Sequence, residues 1–203
     1  MFWSERVLPS LVDWVCSGKG PKIRRGELAP LAEGAVLDLG VGSGLNLAVA
    51  DPAKVTRWVG IDPSRGLLDR ATERAKEVGF AVELLQGVAE ALPFDAATFD
   101  TALVTYTYCS VADPAAALRE LERVVRPGGT LLFVEHGLAA RESSRTVQRW
   151  VEPGWSRVAG GCHLRRDIVS DLANTAFEIE RTEVHVAVPA WLSTVVSGVA
   201  RRR

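Results

Sequence analysis

The stretch "VLDLGVGSGL", Val36 to Leu45, decides how the chain is read. A short apolar run ends in Asp38 and Leu39, and glycines follow at Gly40, Gly42 and Gly44. An apolar run bounded by glycines reads as a buried strand. A glycine-rich turn after such a strand lets a backbone approach a nucleotide-like ligand closely. The dinucleotide fingerprint G-x-G-x-x-G needs a third glycine or alanine where this chain has Leu45. The frame here is G-x-G-x-G, with an acidic residue two positions before the first glycine.

Outward from that turn, strand-like and helix-like segments alternate. Strands are expected at 35–39, 56–62, 81–86, 99–106 and 130–136. A helix over 64–78 carries Leu67, Leu68, Ala71, Ala75 and Val78 at helical spacing. A second helix over 113–125 has Asp113 as N-cap, Pro114 at its first position and Leu118, Leu121, Val124 and Val125 on one face. Pro127-Gly128-Gly129 should stop it. Such alternation implies a parallel sheet with helices on both faces, and ligands bind such sheets beyond the carboxyl ends of the strands. An amphipathic helix is expected over 2–17, with Trp3, Val7, Leu11 and Trp14 on one side. Residues 141–163 read as irregular, 165–177 as a helix, and 177–188 and 193–200 as strands.

The whole chain forms one domain: a helical cap (1–33), a ligand-binding core (34–136) and an acceptor-side loop, helix and closing strands (137–203). With 203 residues and 47% hydrophobic content it has material for a sizeable core. Basic and acidic residues number 24 and 25, so the net charge is −1. That balance gives no electrostatic reason to expect a nucleic-acid partner or an anionic membrane. No basic leader precedes the first apolar run, which Pro9 and Asp13 interrupt, and no run approaches the ~18 apolar residues of a membrane span. Three scattered cysteines form no disulfide framework and fit a reducing cytoplasm. Cys109, Cys162 and His163 lack chelating spacing, so no metal is expected.

The glycine turn, Asp62 at the end of the second strand, "GVAEALPFDAATFD" (87–100) and "LRELERVVRPGGTLLFVEH" (118–136) together resemble the class I S-adenosylmethionine-dependent methyltransferases over about residues 34–136. The resemblance implies a Rossmann-like, mostly parallel seven-stranded sheet of order 3-2-1-4-5-7-6, the seventh strand antiparallel. It implies that Asp38, Gly40, Gly42, Gly44, Asn46, Asp62, Pro63, Val88, Ala89, Glu90 and Thr105 surround the cofactor. Asp38 faces the amino group of the methionine moiety, Asp62 accepts from the ribose hydroxyls, and backbone groups at Val88 and Ala89 read the adenine edge. Val88 departs from the family, which often carries Asp there. S-Adenosylhomocysteine is then the product.

"YCSVADP" after strand four, "FVEHG" at strand five and "GGCHLRRD" near 160–167 are similar to the branch holding thiol, quinone and phospholipid methyltransferases. The implied acceptor is a small, apolar molecule, a thiol first; phenols, quinones, phospholipid amines and natural products are the alternatives. The animal members carry an N-terminal hydrophobic anchor, which this sequence lacks, so a soluble protein is expected. Substrate contacts are expected from Tyr106, Tyr108, Cys109, Glu135, His136, Trp150, Trp155 and His163, with His136 the first candidate for a general base. Two readings from other classes stay open: a nicotinamide oxidoreductase, and a nucleoside-binding protein without turnover.

Overall fold

The computed structural model describes residues 13–14, 16–186 and 194–203. The helix expected over 2–17 falls almost wholly outside these, although Asp13, Trp14 and Cys16 are helical. Residues 187–188 and 193, expected as strand ends, also lie outside.

The elements run α1 (Lys19–Leu28), β1 (Gly34–Leu39), β2 (Val55–Asp62), α2 (Arg65–Ala75), β3 (Ala81–Gln86), β4 (Phe99–Thr105), α3 (Pro114–Val124), β5 (Val125–His136), α4 (Glu142–Val158), α5 (Ile168–Leu172), β6 (Phe177–Val186) and β7 (Thr194–Arg202). The seven strands form one sheet in the order β3-β2-β1-β4-β5-β7-β6. β1 to β5 pair in parallel, and β7 pairs antiparallel with both β5 and β6. This is the expected seven-stranded architecture. No helix among the described residues is long and apolar enough to cross a membrane.

Successive strand residues point to opposite faces, so each central strand feeds two cores. On one face Leu37, Leu39, Val104, Leu131 and Phe133 pack with Leu118 and Leu121 of α3 and Ile168 and Leu172 of α5. On the other, Val36, Trp58, Leu103, Leu132 and Val134 pack with Leu28 of α1. The Asp113 carboxylate caps α3 by accepting from the Ala116 amide at 3.0 Å.

Three local expectations change. Residues 141–163 are mostly the 17-residue helix α4, which runs through Pro153. Its buried Gln148 ties it to the segment after β5, accepting from the Ala139 amide at 3.0 Å and donating to the Gly137 carbonyl at 3.1 Å. The helix expected over 165–177 shrinks to α5, five residues capped by Asp167. α3 ends at Val124, ahead of the Pro-Gly-Gly run, which lies inside β5; β5 starts five residues before the expected strand.

Candidate active site

At the carboxyl ends of β1 and β2, each glycine has its own reason to be there. All three have positive φ, a region disfavoured for residues with a Cβ. A Cβ at Gly40 would lie 2.1 Å from the Thr107 hydroxyl, so Gly40 lets the turn close on the loop after β4. A Cβ at Gly44 would press on Leu47 and on the Ala71 backbone of α2, at 3.0 and 3.1 Å. A Cβ at Gly42 would meet only the Gly40 carbonyl, at 3.9 Å. Gly42 therefore faces open space. A single 3-10 turn, Leu47–Val49, leads from this loop toward β2 in place of an α-helix.

Asp62 ends β2 beside that space. Its carboxylate is held by two backbone amides, Gly42 at 3.0 Å and Ser64 at 2.8 Å. Burial pushes its pKa above the ordinary aspartate value against the pull of those amides. Asp38 is fully buried. It accepts from Asn46 Nδ2 at 2.8 Å, and the same nitrogen donates to Thr105 Oγ1 at 3.0 Å. Burial raises the Asp38 pKa to about 7. Asn46 Oδ1 is buried and finds no donor among the described residues. Pro63 and Val88 are exposed, and Ala89 is buried. Glu90 is occupied elsewhere, accepting from the amides of Ala112 and Asp113 at 2.8 and 3.0 Å.

Residues near the N-terminus lie across the turn. Asp13 receives Ser43 Oγ and the guanidinium groups of Arg70 and Arg74, the latter two at 3.1 and 3.2 Å. Arg25 of α1 is buried, lies 5.2 Å from the centre of the Tyr106 ring and donates to the Cys16 carbonyl at 2.7 Å. Its Nε has no acceptor among the described residues. Sequence reasoning passed over Arg25. The signal was a pair of arginines on an otherwise polar helix, which reads as a solvated face.

The acceptor end is built from side chains of distant segments. Tyr106 leaves β4 with φ +55° and turns the chain into a 3-10 turn, Tyr108–Ser110. Glu135, buried on β5, accepts from the amides of Thr107, Tyr108 and Cys109 at 2.8, 3.0 and 3.3 Å. Burial pushes its pKa up to about 8 against those three donors. Glu135 thus anchors the turn. Tyr108 is buried too, its hydroxyl donating to Asp171 at 2.6 Å. His136 is half-buried and lines a cavity of about 60 Å³ with Tyr108, Glu135, Arg145, Arg166 and Asp167. Cys109 is buried, and Cys162 lies 3.5 Å from His136 Nδ1. His163 turns away to Glu152 at 3.0 Å, while its amide donates to the Cys109 carbonyl at 2.7 Å. Trp155 stands beside Cys162, and Trp150 is 82% exposed on the outside of α4. The structure thus gathers Tyr108, Cys109, Glu135 and His136 at one end of the sheet, adds Cys162, and leaves Trp150 in solvent.

Comparison with known proteins agrees with this geometry. Residues 37–133 match the family model described as a methyltransferase domain. The chain is 27% identical over 162 residues to thiol S-methyltransferase TMT1B of Rattus norvegicus, covering 79% of this chain and 66% of the relative. It is 39% identical over 106 residues to phosphatidylethanolamine N-methyltransferase of Cereibacter sphaeroides, covering 51% of each. The chain therefore spans just under two thirds of the first relative's length and about half of the second's. Its fold matches a crystal structure from Thermotoga maritima, described as a SAM-dependent methyltransferase and possible histamine N-methyltransferase. The TM-score is 0.71 at 21% identity, over 98% of this chain and 97% of that one. Residues 37–133 thus carry a methyltransferase domain, and the chain shares its sheet order and its relatives with S-adenosylmethionine-dependent methyltransferases.

Proposed function

We propose that this chain transfers a methyl group from S-adenosylmethionine to a small acceptor, a thiol first, at the carboxyl ends of β4 and β5. The observation that carries the cofactor assignment is the open space over Gly42, floored by Asp62 and the buried Asp38–Asn46–Thr105 cluster. These residues fit the ligand. Asp62 accepts from the ribose hydroxyls, and the backbone at Val88 and Ala89 meets the adenine edge. Asp38 and Asn46 Oδ1, which finds no donor among the described residues, suit an ammonium group, and a cation there favours the ionised form of Asp38. Arg25, whose Nε has no acceptor among the described residues, is the counter-ion for the carboxylate of the amino-acid moiety. Glu90 and Thr105 act one step back, the first by holding the entry to α3 and the second by holding Asn46.

The bound cofactor supplies a methyl carbon already activated by a sulfonium. The chain's task is then mainly alignment, worth about 7–11 kcal/mol in well-oriented reactions. His136 stands at the cavity as a proton acceptor for a thiol that is only partly ionised at neutral pH. The charged lining of Arg145, Arg166 and Asp167 suits an acceptor with a polar end better than a wholly apolar one. The similarity to thiol S-methyltransferase supports sulfur as the acceptor atom; that to phosphatidylethanolamine N-methyltransferase keeps nitrogen as the second reading. The balanced charge gives no pull toward nucleic acid, and three cysteines outside disulfides suit the cytoplasm.

Two measurements test this reading. In a thermal-shift assay, S-adenosylhomocysteine should stabilise the protein and NAD(P) should not; the reverse would make it an oxidoreductase. A turnover screen over thiols, phenols, amines and quinones should find its best rates among thiols. Binding without turnover on any of them would leave a nucleoside-binding protein.

A further inference from the structure

Helix α4 turns an unusual face to solvent. Val147, Trp150, Gly154 and Val158 follow one another at spacings of three and four, so they share one side of the helix. Trp150 is 82% exposed and Val158 59%, and Val147 and Gly154 are exposed as well. The opposite side of α4 is spent on the protein. Gln148 is buried against Gly137 and Ala139, and Trp155 Nε1 is buried. Apolar residues grouped on the outside of a packed helix mark a surface that meets something else.

Charge indicates the partner. The balance over the whole chain conceals an uneven distribution. Residues 141–166 hold six arginines and two glutamates, a net +4 in a chain of net −1, which leaves −5 for the rest. Arg141, Arg149, Arg157 and Arg165 are exposed. Of the two acids, Glu152 is engaged with His163, and Glu142 lies 3.7 Å from Arg145 and 3.9 Å from Arg149. Arg157 comes seven residues after Trp150, two turns along the same face, and Arg149 adjoins it. A second copy docked face to face would set these arginines against themselves. A nucleic acid would use the arginines and leave the valines in water. A bilayer with anionic headgroups uses both: phosphates meet guanidinium groups, and an indole with aliphatic neighbours sits at headgroup level. No helix among the described residues is long and apolar enough to cross a membrane, so α4 would lie on its surface.

We propose that the outer face of α4 docks on a bilayer containing anionic phospholipid, with Trp150 as its anchor and Arg149 and Arg157 as its charge contacts. The same helix walls the acceptor cavity from behind. Arg145 lines that cavity and donates from Nε to the Ala139 carbonyl at 2.7 Å. Docking therefore sets the cavity one helix diameter, about 10–12 Å, from the lipid. That position suits an acceptor dissolved in the bilayer. The use in acceptor delivery rests on the methyl-transfer reading above; the docking itself does not.

Sedimentation with vesicles tests the surface without any turnover. The wild type should pellet with phosphatidylcholine vesicles that contain phosphatidylglycerol about tenfold more than with phosphatidylcholine alone, and high salt should release it. Trp150→Ser, and separately Arg149→Glu combined with Arg157→Glu, should each cut the bound fraction about tenfold. Arg65→Glu, at an exposed arginine of α2, should bind as the wild type does. All these positions are exposed, so circular dichroism should show native folds. A wild type that ignores anionic vesicles, or an equal loss in Arg65→Glu, would overturn the proposal. Tighter binding to an oligonucleotide than to vesicles would overturn it too, as would a dimer in ultracentrifugation that Trp150→Ser dissolves while vesicles leave it in solution. For delivery, anionic vesicles should raise kcat/KM for a long-chain alkanethiol about tenfold in the wild type and not in the double variant. A short, water-soluble thiol should be turned over equally by both. Vesicle binding without that gain would overturn delivery. Vesicle binding with no turnover of either thiol would keep the docking surface and remove the methyl-transfer reading.

Discussion

The two ends of the site are made of different material. At the proposed cofactor end the backbone shapes the space: three glycines have positive φ, and the amides of Gly42 and Ser64 hold Asp62. Its core is the turn together with the ends of β1, β2 and β4, which bring Asp38, Asp62 and Thr105. At the acceptor end, side chains converge from β4, β5 and the loop after α4, and one carboxylate, Glu135, holds the turn in place. A backbone cradle can be specified by a few consecutive residues. A convergence of side chains exists only after the sheet has brought its strands together.

Single substitutions can set the two ends against each other. The largest effect should come from Gly40→Val. Both the positive φ and the 2.1 Å approach to Thr107 forbid a side chain, so about 3–5 kcal/mol of stability should be lost in urea denaturation. A near-native midpoint would show that the two ends are not clamped together at this point. Glu135→Ala should follow closely. It strips the acceptor from three amides, costing about 2–4 kcal/mol, yet in the folded variant calorimetry should find S-adenosylhomocysteine affinity little changed. A matching collapse of cofactor affinity would mean the ends are not separable.

At the cofactor end, Asp62→Ala should weaken S-adenosylhomocysteine binding at least about tenfold, since hydrogen bonds to a charged acceptor are worth about 1.5–3 kcal/mol each. An unchanged dissociation constant would remove Asp62 from the ribose site. Titration gives a smaller, graded effect. Asp38 and Glu135 have folded values of about 7 and about 8, raised from unfolded values of about 4. Between those limits the native state keeps protons that the unfolded chain has lost. Stability should therefore fall as pH rises from about 4 to about 8, by at most about 1.4 kcal/mol per pH unit for each group, and level off above. Asp38→Asn should flatten its share of that slope; an identical slope in the variant would assign it to other groups. The smallest effect is expected for Trp150→Ala. Its exposure predicts a stability change within about 0.5 kcal/mol and unaltered turnover. A lost acceptor activity would return Trp150 to the substrate wall.

Legibility in the sequence followed the same division. The run from Val36 to Leu45 carries its own strand and turn, but the reasons for Gly40 and Gly44 lie outside it, at Thr107 and Ala71. Asp113-Pro114 announces the start of α3, with Asp113 its N-cap and Pro114 its first residue. The sheet order came with the family resemblance, because strand sequence alone does not say that β7 enters between β5 and β6. Pro153 and Gly154 hid α4: proline interior to a helix is unfavourable, and only packing, including the buried Gln148, sustains it. Nothing in the sequence announces that Glu90 accepts from the amides of Ala112 and Asp113, or Glu135 from those of Thr107, Tyr108 and Cys109. The contact between His136 and Cys162 joins positions 26 residues apart, and no periodicity encodes such a distance.

The place of β7 has a consequence for time as well as shape. β6 and β7 are antiparallel neighbours, so their pairing is comparatively local, whereas β7 meets β5 across about 60–70 positions of sequence. Long-range pairings of this kind must overcome loop-closure entropy before any contact rewards them. The β6–β7 hairpin should therefore dock late, as a unit, on the edge of β5 formed by Thr130 to His136. Until it does, the cofactor turn can already have its native neighbours in β1, β2 and β4. Glu135 and His136 meanwhile stand on an open edge. The proposed acceptor end is then the part that matures last, and a refolding experiment should see S-adenosylhomocysteine affinity return before turnover.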